Sequence, residues 1–286
     1  MPDMPLYIVP VGLQYGNFFR FRSTINVNIG DPINVKDFLE SNSENTQQEQ
    51  MNKMREILAE RMKSLIMYIP NDENYEATYE ICAASMRPQR KRLLSSVPKG
   101  SINRKLAQFK ANNITCNTVA KLKEEEPETA AKLLKLGKEA YRMRTKQKIS
   151  LSSLTSKFPF WVRFLRFLLF LVTLPYCVTA SILALPCVLL CKMAFRLLKD
   201  YAFRNSIRFL VNLVLWPILV VIYTSIAFAT MPWEMALPAT FLIMPAPIVA
   251  QEMWRLFRLE ISDTKLLLNK KLRNKYKEIQ KIILSK

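Results

Sequence analysis

Two stretches of 25 residues without a charged side chain, 167–191 and 209–233, constrain this chain more than any other feature. As helices each would run about 37 Å, longer than the roughly 30 Å hydrocarbon core of a bilayer. A third uncharged stretch, 235–251, is interrupted by Pro238, Pro245 and Pro247. A core helix of a soluble protein accounts poorly for two such runs in one chain, so the expectation is a membrane-embedded helical unit over 158–254. Phe158, Phe160, Trp161, Trp216, Trp233 and Trp254 lie near the ends of these runs, where interfacial anchors belong.

The flanks of the three runs are all basic, which by the positive-inside bias places every flank in the cytosol. Two hairpins satisfy that condition. The first stretch, broken by Pro175 and Pro186, dips in and returns, with a single kinked crossing as the alternative. The second and third cross and return about a turn at Pro232, Trp233 and Glu234. The expected location is an integral membrane protein with its bulk on the cytoplasmic face.

Charge supports a lipid surface over nucleic acid. The chain has 42 basic and 23 acidic residues, with net charge −3 over residues 1–50, +10 over 51–150 and +12 over 151–286. The excess surrounds the apolar part and shows no nucleic-acid-binding signature, so no nucleic-acid partner is expected. Two clusters, Arg87, Arg90, Lys91, Arg92 and Arg142, Arg144, Lys146, Lys148, read either as solvated faces or as contacts to anionic headgroups.

Absences narrow the chemistry. With no histidine, Ser-His and Cys-His nucleophile pairs and most zinc sites are excluded. The five glycines are scattered, so no phosphate-cradling or dinucleotide-binding loop can form. Cys82, Cys116, Cys177, Cys187 and Cys191 are odd in number and widely spread, and read as buried thiols. No metal and no cofactor is expected.

The N-terminal part predicts strands. Leu6 to Val11 is a continuous apolar run, as in a strand buried between layers. From Phe19 the pattern alternates, with Phe19, Phe21, Ile25, Val27 and Ile29 on one face and Arg20, Arg22, Thr24, Asn26 and Asn28 on the other. Nothing after Ile29 reads as strand, and two strands alone are marginal in water. Helices follow: one opened by a Thr46/Glu49 capping box with a dry face from Met51 to Ile66, then about 74–86, 101–112 and 117–146, the last interrupted at Pro127. In the tail, Leu268, Leu272, Tyr276, Ile279 and Ile283 form a stripe suited to an interfacial amphipathic helix or a partner helix.

The run Leu6-Tyr7-Ile8-Val9-Pro10-Val11-Gly12-Leu13-Gln14-Tyr15, followed by Phe21-Arg22-Ser23 and Asn28-Ile29-Gly30-Asp31-Pro32-Ile33, resembles the last conserved block of the glycerophospholipid acyltransferases. The likeness is nearest the branch acting on glycerol 3-phosphate or dihydroxyacetone phosphate. It implies acyl transfer from acyl-CoA or acyl carrier protein, as co-substrate, to a glycerol-phosphate hydroxyl, with an Asp-oriented histidine as base.

It places Ile8, Val9, Pro10, Val11 and Gly12 in the wall of the acyl and substrate site. Arg20 and Arg22 are either solvated strand arginines or contacts to a substrate phosphate. The family's His-X4-Asp motif, phosphate-binding arginine block and Glu-Gly block do not occur in this sequence. Val97-Pro98-Lys99-Gly100-Ser101 has lysine where the Glu-Gly block has an acid, and reads as a turn.

The resemblance therefore implies roughly 150 to 200 further residues upstream, enough to bury the first strand. The expected fold class is an α/β fragment, the edge of an acyltransferase domain, over 1–40. A helical region spans 41–157, membrane-embedded α-helical hairpins span 158–254 (167–191, 209–233, 235–251), and a basic amphipathic helix spans 255–286. The function expected is that of a membrane-bound acyltransferase fragment in phospholipid biosynthesis, inactive by itself. The competing expectation is a noncatalytic membrane scaffold or anionic-lipid-binding protein.

Overall fold

Residues 5–15, 25–98, 103–155, 159–198 and 203–286 are described by a computed structural model. The fold is mostly helical, 79%, so strand structure is confined to a small N-terminal portion. The chain forms two compact units, Met1–Ser156 with Asn269–Lys286, and Lys157–Leu268.

Pro10 lacks an N–H and divides the first apolar run, so the strands pair only in twos. β1 (Tyr7–Ile8) pairs antiparallel with β4 (Ile33–Asn34), and β2 (Val11–Tyr15) with β3 (Ile25–Ile29). The sequence pattern missed β4, which is too short to show a period. It also placed Leu6 to Val11 between layers, whereas Leu6, Tyr7, Val9 and Val11 are exposed. Only Pro10 in that run is buried. Each sheet has two strands, and no second layer covers that side among the described residues.

Several of the first unit's helices start where short polar side chains satisfy free N–H groups. Asn34 caps α1 (Val35–Glu40) by accepting from the Lys36 N–H at 3.1 Å. Thr46 and Glu49 form the expected capping box on α2 (Gln47–Leu65). The Thr46 N–H bonded to Glu49 holds that carboxyl below its ordinary range. The dry face expected on α2 is absent: none of its residues is buried, and Met51 is 68% exposed. Burial begins instead with α3 (Tyr75–Ser96), α4 (Arg104–Glu125) and α5 (Pro127–Lys146). α6 (Leu151–Thr155) follows.

Although a helix ending at Met86 was expected, α3 passes through Pro88 to Ser96. Pro88 cannot donate to the Ala84 carbonyl one turn earlier. Gln280 Nε2 donates to that oxygen at 2.8 Å and repairs the gap. α4 likewise continues past Asn112 to Glu125, and the break at Pro127 stands as expected, with proline in the first turn of α5.

The second unit holds α7 (Phe160–Leu183), α8 (Leu185–Leu197), α9 (Arg204–Thr230), α10 (Trp233–Ile243) and α11 (Ala246–Leu268). Two helices, Trp161–Leu183 and Arg204–Thr230, are long and apolar enough to cross a membrane. α10 and α11, bent by 55°, form a third candidate as a pair. The first expected stretch breaks at Ala184, while Pro175 lies within α7 and Pro186 sits in the first turn of α8. Outward side chains such as Val172 (71%), Val221 (65%) and Phe241 (68%) are bare, as in an apolar solvent.

Contacts fix the directions within this unit. α11 runs antiparallel to α7: Arg163 bonds Glu260 and Thr264 near one end, and Trp254 donates to Ser181 Oγ at 2.8 Å near the other. α8 runs antiparallel to α9, because Arg204 and Arg208 lie over the Phe195 ring while Tyr223 reaches Leu183. The unit's chain therefore enters and leaves at the same level.

Each break frees backbone carbonyls that must find donors in a lipid-like surrounding. Tyr223 Oη donates to Leu183 O at 3.1 Å beside the α7–α8 break. Tyr176 Oη donates to Leu242 O at 2.7 Å, and Trp216 Nε1 to Met244 O at 3.0 Å, beside the α10–α11 bend. Trp216 and Trp254, expected as interfacial anchors, thus donate inside the unit. Trp161 and Trp233 remain exposed. Phe158 and the Phe160 side chain lie outside the described residues.

The helix expected over 255–286 is two helices divided at Asn269, whose side chain accepts from the Leu272 N–H and starts α12 (Lys270–Leu284). Leu272, Tyr276, Ile279 and Ile283 are buried in the first unit, so the stripe takes its partner role within its own chain. Asn269 also bonds Gln147 at 2.8 Å.

Candidate functional site

The β2–β3 hairpin carries the residues that resemble an acyl-site wall. Its register sets Val11 opposite Ile29, Gly12 opposite Asn28, Leu13 opposite Val27, Gln14 opposite Asn26 and Tyr15 opposite Ile25. The alternation is as expected, with a wholly apolar row of three pairs on one face and a polar row on the other. The polar row is the covered one. Asn28 Nδ2 donates to Leu65 O at 2.8 Å, satisfying a carbonyl at the end of α2. Gly12 permits this approach: a Cβ there would lie 2.5 Å from the same oxygen.

The apolar row is consequently bare, with Leu13 50%, Ile25 56%, Val27 56% and Ile29 71% exposed, and Val11 and Tyr15 above two-fifths. Of the wall residues, Ile8 is half-buried in β1, Val9 is exposed, Pro10 and Gly12 are buried, and Val11 joins the bare row. Arg20 and Arg22 lie outside the described residues, as do Lys99 to Ser101 of the expected turn. Asp31 and Asp37, the described acids nearest the hairpin in sequence, are exposed. No group of three metal-ligating side chains occurs among the described residues.

A second polar cluster lies in the bundle, where sequence reasoning saw none. Glu80, fully buried on α3, accepts from Arg144 Nε on both oxygens, at 2.9 and 2.8 Å, and from Tyr276 Oη at 2.6 Å. Arg144 also donates to Ile149 O at 3.1 Å. Arg144 therefore turns inward and is not a headgroup contact, whereas Arg142, Lys146 and Lys148 are exposed. A four-residue spacing between Glu76 and Glu80 was visible in the sequence, but nothing in it told the buried acid from the exposed one. Glu80 and Tyr276 are buried and the Arg144 side chain is 11% exposed, so the cluster has the geometry of a lock joining α3, α5 and α12.

The lock gives the bundle an alkaline limit. Burial, and then the Glu80 charge, raise the Tyr276 hydroxyl well above its ordinary range. In the unfolded chain it ionises near 10. The stability it contributes is present below that pH and is lost as pH rises beyond it, because only the unfolded form then releases the proton. Tyr276→Phe should flatten the fall of stability above about pH 10. Unfolding followed by circular dichroism against pH, with equal slopes for both proteins, would contradict this.

No family model matches the chain, and neither a curated protein nor a solved structure matches it.

Proposed function

We propose that this chain is the membrane-anchoring part of a glycerolipid acyltransferase, in which the bare apolar face of β2–β3 lines the path of an acyl chain. The carrying observation is that the residues resembling the acyltransferase block belong to a hairpin with six apolar side chains exposed together. A fatty acyl chain from acyl-CoA or acyl carrier protein would bury that face, at roughly 25 cal/mol per Å² removed from water. The hydroxyl of a glycerol phosphate would then attack the thioester carbonyl. The chain has no histidine to take its proton, so the reading requires a base supplied from outside this sequence.

An acyl-CoA with a diazirine near the chain end tests the wall. Irradiated with the full chain in vesicles, it is expected to label peptides containing Val11 to Tyr15 and Ile25 to Ile29. Label confined to α7 through α11 would contradict the wall. It would favour the second reading, a noncatalytic anionic-lipid-binding scaffold, which draws support from the exposed cations Arg142, Lys146 and Lys148.

The same proposal places the bundle on the cytoplasmic face. Within the second unit α11 runs back along α7, and with basic flanks on its apolar runs the positive-inside bias assigns the side it starts from and returns to as the cytosol. Single cysteines introduced at Ser150 and Lys286 in a chain otherwise free of cysteine should both be shielded from an impermeant maleimide in intact cells. Both should label in inverted vesicles. Labelling from opposite sides would contradict the arrangement.

A further inference from the structure

The cysteines divide into two environments. Cys177, Cys187 and Cys191 are buried in the second unit, among helices of membrane length. Cys82 on α3 and Cys116 on α4 lie in the first unit, with sulfurs 3.3 Å apart across two closely packed helices. Cys82 is 1% exposed, whereas Cys116 is half-buried. Cys116 is thus the less enclosed member of the pair, with the Cys82 sulfur in contact with its own.

We propose that Cys82 and Cys116 form a dithiol that closes reversibly to an α3–α4 disulfide on meeting a small disulfide of the glutathione type. A disulfide needs a sulfur separation of about 2 Å, and the two sulfurs, 3.3 Å apart, are already in contact. The contact also sorts the roles. Its hydrogen bond to Cys116, and then burial, hold the Cys82 thiol protonated, and the bond from Cys82 shifts the Cys116 thiol down.

The Cys116 thiolate attacks one sulfur of the oxidant, forming a mixed disulfide and releasing one glutathione thiolate. Cys82 then loses its proton to solvent and attacks Cys116 Sγ, releasing the second thiolate. The protein gives up two electrons and two protons, and the small disulfide becomes two thiols. The product ties α3, which carries Glu80, to its neighbour through a covalent bond.

The test uses the full chain in lipid vesicles, exposed to oxidised glutathione, quenched in acid, denatured, labelled with a maleimide and digested for mass spectrometry. Cys82 and Cys116 should lose labelling together, about tenfold or more at an excess of oxidant. A linked peptide pair lacking two hydrogens should appear and disappear on adding dithiothreitol. Cys177, Cys187 and Cys191 serve as internal controls. In Cys82→Ser the reaction should stop at glutathione bound to Cys116. Absence of the linked peptide in the unaltered chain, whether Cys116 stays free or keeps its glutathione, overturns the proposal.

Discussion

Glu80→Ala is expected to destabilise the bundle by about 3–5 kcal/mol, because it leaves the Arg144 guanidinium buried without its counter-charge. The Arg144 side chain is only 11% exposed and that of Glu80 not at all, so water cannot replace the lost partner. The Tyr276 hydroxyl loses its acceptor in the same step. By contrast Lys132 and Glu278, 3.2 Å apart and largely exposed, should couple by at most about 1 kcal/mol.

Hydrogen exchange on the full chain in lipid measures both. Amides of α3, α5 and α12 should exchange about a hundredfold faster or more in Glu80→Ala, since each 1.4 kcal/mol is roughly a factor of ten. The double replacement Glu80→Leu with Arg144→Met should recover most of the loss, because it removes the buried charges together. Less than a tenfold change in Glu80→Ala would show that the cluster does not lock the helices.

The sequence was most legible where the physics is local. The Thr46/Glu49 box needs only three residues' spacing, and Pro127 ends a helix through its own missing N–H. Charge-free length alone identified helices able to cross a membrane. The alternation over Ile25 to Ile29 was equally plain.

What could not be read was which side is covered. Alternation separates two faces, but the Asn28 bond to Leu65 O decided that the polar face packs and the apolar face stays bare. Arg144 sat among exposed cations in sequence and became internal only because Glu80, 64 residues earlier, points at it. The helix expected to end at Met86 runs on for the same kind of reason: the group that rescues the Ala84 carbonyl, Gln280, is 196 residues away from it. Trp216 and Tyr176 at the α10–α11 bend, and Tyr223 at the α7–α8 break, seal helix breaks whose positions the proline pattern alone did not fix.

On the proposed function these residues supply an acyl-site wall and a membrane anchor, but not the base. Attack of a hydroxyl on a thioester near neutral pH needs a positioned base, typically worth about 10² to 10⁴ in rate. The chain holds no histidine, and Asp31 and Asp37 are exposed, with no opposing wall among the described residues to hold donor and acceptor in attack geometry. The direct measurement is radiolabelled acyl transfer from acyl-CoA and from acyl carrier protein to glycerol 3-phosphate. It compares membranes holding this chain alone with membranes holding the chain fused behind a segment that bears His-X4-Asp. The account predicts no turnover above an empty-vector control for the chain alone, and turnover for the fusion that falls when Val27→Asp places a charge on the bare face. Turnover by the chain alone, or a fusion that binds the membrane yet never transfers an acyl group, would contradict it.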